Sequence, residues 1–218
     1  EANRLAIGDS NEKELTNVFT KVGEFNNYLM LLVLSGFLLI GRQFVTLWVG
    51  KEYDISYYAT VILMISGYIP AVQTLVVNIQ NAKNMHRIRS VVYFFVACIN
   101  VIASVFLIKM YGVIGTCLGT LLATLFGHGI FMNYYYHCKI GLNISVFWKK
   151  MFKWIIPVGV LTVICKLLLQ FINIDSWIKL ISFCCIYGCI YIVMLYIIGL
   201  TKEQKVITKQ KMKVLLKK

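Results

Sequence analysis

The chain has few charges, and acids are the scarcest of them. Only 14% of its 218 residues are charged and only nine are Asp or Glu. A soluble domain carries about 25% charged and about 45–50% apolar residues, whereas 59% of this chain is hydrophobic. A water-soluble globular domain is thereby excluded, and an integral membrane protein is implied. The shortage of acids also argues against an enzyme such as a membrane-bound sugar polymerase or acyltransferase. Those chemistries need paired carboxylates, a His–Asp constellation or a long polar loop to present a substrate. Of the three histidines, His86 and His137 stand in basic stretches without a carboxylate nearby, and His128 has no acid in its own helix. The seven cysteines lie in or beside apolar runs, with no His/Cys set at metal-ligand spacing. They read as small apolar packers, and neither a metal nor another cofactor is expected.

Basic residues are plentiful by contrast, and the net charge is +13. In a soluble protein that would suggest nucleic acid. Here the cations fall almost entirely between apolar runs, so they report topology and no nucleic-acid partner is expected.

Six apolar runs are present, at about 22–41, 57–79, 90–108, 112–134, 154–173 and 177–199. Each is about 20 residues long, enough at a 1.5 Å rise to cross about 30 Å of hydrocarbon, and each must be helical because lipid offers backbone amides no partner. The expected fold is an all-α membrane protein, a bundle of six transmembrane helices over residues 1–218 ending in a basic tail, 200–218. Ahead of the first run, Asp9 is a candidate N-cap, and Leu15, Val18, Phe19 and Val22 follow at amphipathic spacing. This helix start is expected to lie in the membrane interface and to run into the first span, with Glu24, Asn26 and Asn27 at headgroup depth. Glu24 is also the one obvious candidate proton carrier. The stretch from Gly41 to Ser56 is expected to be a loop. In the second run Pro70 removes a helical hydrogen bond and predicts a kink, with Gln73 a turn below it.

The third and fourth runs predict a membrane hairpin. Gly115, Gly119, Ala123 and Gly127 recur every four residues and form a smooth ridge for close helix packing. Beside it run Thr116, Thr120, Thr124 and His128, of which the threonines can bond carbonyls one turn back while the histidine needs a neighbour or water. In the fifth run Gly159, Thr162, Lys166, Gln170 and Asn173 share one stripe. Lys166 is the only basic residue deep in a span, so this stripe is expected to face protein or a water-filled groove.

Orientation follows from the loops. Seventeen of the 22 lysines and arginines fall on one side and four on the other, with Lys166 inside a span. The positive-inside rule places both ends of the chain in the cytoplasm. Trp48 and Trp177 on one face, and Trp148 and Trp154 on the other, fit two aromatic belts. The lysine-rich tail, with no acid after Glu203, suits an anionic leaflet, so anionic membrane lipids are expected partners.

Several stretches together resemble the oligosaccharide-lipid flippases of bacterial polysaccharide synthesis, which share a superfamily with multidrug exporters and lipid II flippases. They are RLAIGD at Arg4–Asp9, FVTLWVGKEY at Phe44–Tyr53, NAKNMHRIRS at Asn81–Ser90, Asn100, and YGVIGTCLGT at Tyr111–Thr120. The resemblance is to the C-terminal half of a two-lobed bundle of about fourteen helices. It implies that this sequence is a piece of a longer chain, whose missing N-terminal lobe is a partner and builds most of the cavity. It also implies export, by alternating access, of a lipid-linked oligosaccharide carried on undecaprenyl pyrophosphate in the bacterial cytoplasmic membrane. A cation-coupled multidrug exporter of the same superfamily is the runner-up. Within this chain the candidates for lining a substrate path are Lys166, Gln170, His128, Asn100 and Gln73.

Overall fold

The computed structural model describes residues 12–172 and 174–199, among which there is no strand. Six helices are long and apolar enough to cross a membrane: α1 (Glu12–Trp48), α2 (Ile55–Ala82), α3 (Arg87–Tyr111), α4 (Val113–Ile140), α5 (Ile144–Leu169) and α6 (Trp177–Ile198). The chain is an all-α, multi-pass membrane protein. Helices α1–α5 form one compact unit, and α6 belongs to a second that begins at Ile174. The RLAIGD stretch with its Asp9 cap, Asn173 and the basic tail lie outside the described residues.

Helix α1 has 37 residues, about 56 Å at a helical rise, so it overruns the hydrocarbon by some two dozen ångströms. The amphipathic start runs into the first span as one helix, as its pattern implies, with Leu15 and Phe19 buried in the protein core. The far overrun corrects the sequence reading. Gly41–Trp48 is helix rather than loop. Its charge is met by the connection that follows, where the Arg42 guanidinium grips the Asp54 carboxylate through two hydrogen bonds of 2.6 and 2.7 Å.

The hairpin of α3 and α4 turns on one residue. Gly112 has φ +57° and ψ −136°, a backbone that an L side chain rarely tolerates. The two helices then run back in close contact. A Cβ on Gly115 would collide with the Leu107 carbonyl, one on Gly119 with Ser104, and one on Gly127 with Val96. As the ridge advances from 115 to 127, its partners retreat from 107 to 96, the register of an antiparallel pair. Ala123 on the same ridge is buried.

The core of this unit gathers at one end. Leu15 and Phe19, Val72, Val76 and Ile79, Val92, Met132 and Tyr136, and Phe147 and Met151 come from five successive helices and pack together. Phe19 stacks on Phe147 with centroids 4.4 Å apart. The short connections at this end are tied as well. Lys83 donates to the Ile140 carbonyl (3.2 Å), and the Asn143 backbone N–H donates to Thr16 Oγ1 (3.2 Å). Asn84, at φ +54°, ends α2 in the left-handed region while Met85 N–H bonds back to the Gln80 carbonyl, a helix stop that Asn suits.

Helix α5 starts earlier than the sequence reading placed it. Asn143 caps it by accepting from Val146 N–H (3.1 Å), and Ile144, Phe147 and Met151 turn into the core. The helix is interrupted at Lys153–Trp154 and continues from Ile155 to Leu169. Trp154 is not a belt residue, because it is buried edge-on against Tyr28 of α1. The cysteines are not uniformly packers either. Cys117 and Cys165 are buried, but Cys138, Cys184, Cys185 and Cys189 are exposed, on helix faces where an apolar thiol suits lipid. In the second unit, α6 is introduced by an Asp175–Lys179 pair at 2.6 Å. The lysine's hydrogen bond holds the Asp175 carboxyl below the usual carboxylate range.

Candidate functional site

Buried polar side chains of the first unit include Gln73, at the break in α2, and Asn27 and Gln80 elsewhere. Pro70 has no N–H to give, and three residues later the helix is interrupted. It runs from Ile55 to Val72 and resumes at Thr74, leaving Gln73 between at φ −98° and ψ 14°. Side chains take over the freed backbone groups. The Ala71 carbonyl accepts from the Thr74 hydroxyl (2.7 Å) and from the Asn26 amide of α1 (3.3 Å).

From this break a set of neutral amides reaches three other helices. Gln73 is 2% exposed and donates to Asn133 Oδ1 of α4 at 2.5 Å. Asn133 in turn donates to the Gly129 carbonyl at 2.7 Å. That carbonyl belongs to a π-helical stretch, Leu125–Met132, where wider i→i+5 bonding loosens the α-helical ladder. Asn27 of α1, fully buried, accepts from the Tyr68 hydroxyl and donates to the Met151 carbonyl of α5 (3.3 Å). Asn26 and Asn27 are thus the α1 side of a buried junction. Tyr68 and Asn133 were passed over in the sequence because each looks ordinary on its own helix. The available signal was that Asn26, Asn27, Gln73 and Asn133 are amides within apolar runs, where each needs a partner.

Such a junction has defined chemical limits. It carries no charge and contains neither a carboxylate nor a histidine. It can let a membrane helix bend without presenting bare carbonyls to lipid. Glu24 lies beside it on α1, half-buried, with Lys150, Lys153 and Lys21 as the cations within electrostatic reach.

The other candidates sit apart from one another. Asn100 faces α4 in the hairpin, its Oδ1 within 3.0 Å of the Ser104 hydroxyl and 3.3 Å of the Thr120 hydroxyl. Thr116 satisfies itself on the Val113 carbonyl (2.7 Å). His128 lies in the π-helical stretch against Tyr93, with ring centroids 4.9 Å apart. Lys166 and Gln170 are exposed on α5, whereas the buried positions on that helix are Val158, Cys165 and Leu169. These two residues of the polar stripe therefore do not face the packed neighbours of the first unit. Gln80 is fully buried near the end of α2 and its amide meets no partner among the described residues. Also among the described residues, no three His, Cys, Asp or Glu side chains come together as a metal site would require.

Fold and junction define a multi-pass helical membrane protein with a broken, amide-bridged inner helix. No protein-family model matches the chain, and no curated protein or solved structure matches it.

Proposed function

We propose that the chain is the C-terminal lobe of a two-lobed transporter of about fourteen helices. It flips undecaprenyl-pyrophosphate-linked oligosaccharide repeat units across the bacterial cytoplasmic membrane, for surface polysaccharide synthesis. The observation that most supports this reading is the break in α2. Gln73 lies nine residues from the Ala82 end of a 28-residue helix, about 14 Å along the helix from that end. Interrupted helices within a span serve transporters, because they bend there and present polar groups to a path between lobes. The buried core at the basic end of the same unit fits a lobe closed on one side, as alternating access requires. In this reading both ends of the chain face the cytoplasm, the basic residues and the tail meet anionic lipids there, and the exposed Lys166 and Gln170 are available to the pyrophosphate or to a groove shared with the rest of the transporter.

The test is deletion of the intact gene. Lipid-linked repeats are expected to be made but to accumulate on the inner leaflet, with no surface polymer. Normal polymer with altered drug tolerance would overturn the reading in favour of a drug exporter, and loss of the lipid-linked precursor itself would point to an enzyme.

A further inference from the structure

A groove of about 550 Å³ runs along the hairpin, lined by Arg87, Val91, Phe95 and Ile99 of α3 and by Gly127 and Phe131 of α4 among others. Its origin lies in the geometry of α4. On an α-helix Phe126 and Phe131 would stand about 140° apart, but the π-helical stretch Leu125–Met132 contains both. Bonding from i to i+5 brings residues five apart back towards one face. Both rings therefore border the same groove, and Gly127 between them forms a floor pressed against Val96. Phe95, Phe126 and Phe131 are each more than half exposed. The walls are apolar and open to the side.

One end of the groove is different. Arg87, at the start of α3, is its only charged lining residue. It is exposed and has no hydrogen bond or ion pair among the described residues. From Arg87 to Ile99 the groove follows α3 for twelve residues, about 18 Å, close to the depth of one leaflet, half of about 30 Å. A cation at headgroup level above an apolar channel one leaflet deep matches one kind of molecule. We infer that the groove holds an anionic phospholipid of the leaflet that carries the basic loops, its phosphate at Arg87 and one acyl chain between Phe95, Phe126 and Phe131. An undecaprenyl chain is far longer than this leaflet is deep and would run out of the groove.

The test places a reporter in the wall. The full-length protein carrying Phe95→Trp is reconstituted in phosphatidylcholine vesicles that contain either brominated phosphatidylglycerol or brominated phosphatidylcholine at equal mole fraction. Quenching is read as the difference from the protein without the substitution. Brominated phosphatidylglycerol is expected to associate about fivefold more strongly, the effect of one cation at an anionic headgroup. Adding Arg87→Gln should bring the two lipids to parity, whereas Arg87→Lys should keep most of the preference. Equal quenching in the Arg87 protein, or a preference that survives Arg87→Gln, would overturn the inference. So would absence of quenching by either lipid, which would mean that a second copy or another part of the transporter covers the groove. Displacement of the brominated lipid by a small mole fraction of undecaprenyl phosphate would overturn it as well, in favour of the carrier lipid.

Discussion

Two polar residues inside apolar helices, Asn27 and Lys166, differ in what holds them. Asn27 spends both ends of its amide inside the protein, one on Tyr68 of α2 and the other on the Met151 carbonyl of α5. Removing it leaves buried partners unpaired, and an orphaned buried group costs about 1–3 kcal/mol. Lys166 is exposed on α5, and exposed substitutions away from special features usually fall within about 0.5 kcal/mol. Asn27→Ala is therefore expected to lower the unfolding midpoint of the detergent-solubilised protein clearly. Lys166→Met should leave it unchanged, so that any loss of transport in that variant reports a role in the path. Equal destabilisation by both changes would show that Lys166 is a structural partner. The sequence suggested the reverse ranking. It flags Lys166 because charge in a span stands out, whereas the importance of Asn27 depends on Tyr68 and Met151, distant in the chain and visible only once α1, α2 and α5 are packed.

At the level of elements, periodicity and length were enough to locate all six helices, since a run of about 20 apolar residues has few alternatives in a membrane. Their ends were less legible. α1 continues through Arg42 because Asp54 neutralises it from the next loop, and α5 begins at Ile144 because Asn143 caps it. The second of these could have been read from Asn143 followed by Ile144, Phe147 and Met151, had the lysines between them not suggested a loop. The π-helical stretch of α4 had no sequence signal beyond its glycines. The kink in α2 was legible from Pro70, but its consequence was not, because the Ala71 carbonyl at the break is met from another helix by Asn26. Pro70→Ala restores an N–H that can bond the preceding turn, and an interior proline costs a helix about 3 kcal/mol. This substitution is expected to raise thermal stability by part of that amount and to slow transport by stiffening α2. Transport at the normal rate, with stability raised, would mean that the break is a packing feature and not a moving joint.

At the scale of the molecule, five helices alternate direction, and their connections gather the charges unequally. The segments at residues 83–89 and 139–153, connections with the first turns of α3 and α5, together with the start of α1, carry Lys13, Lys21, Lys83, Arg87, Arg89, Lys139, Lys149, Lys150 and Lys153. The structure ties these segments into one end, through Lys83 on the Ile140 carbonyl and Asn143 on Thr16. The opposite connections hold Arg42, Lys51 and Lys109, and Arg42 is already paired with Asp54. A basic excess confined to one end of a bundle is the feature that fixes orientation during insertion, because short loops rich in Lys and Arg stay in the cytoplasm. Reporter fusions after Asp54, Arg87, Tyr111, Lys150, Asp175 and Lys218 are therefore expected to read outside, inside, outside, inside, outside and inside. The fusion at Lys150 is the most discriminating. It lies at the end where α1 and α5 are joined through Asn27 and Met151, so an outside signal there would invert the whole unit and remove the basis for placing the closed end towards the cytoplasm. An inside signal at Asp175 would be a narrower failure, one in which α5 does not cross.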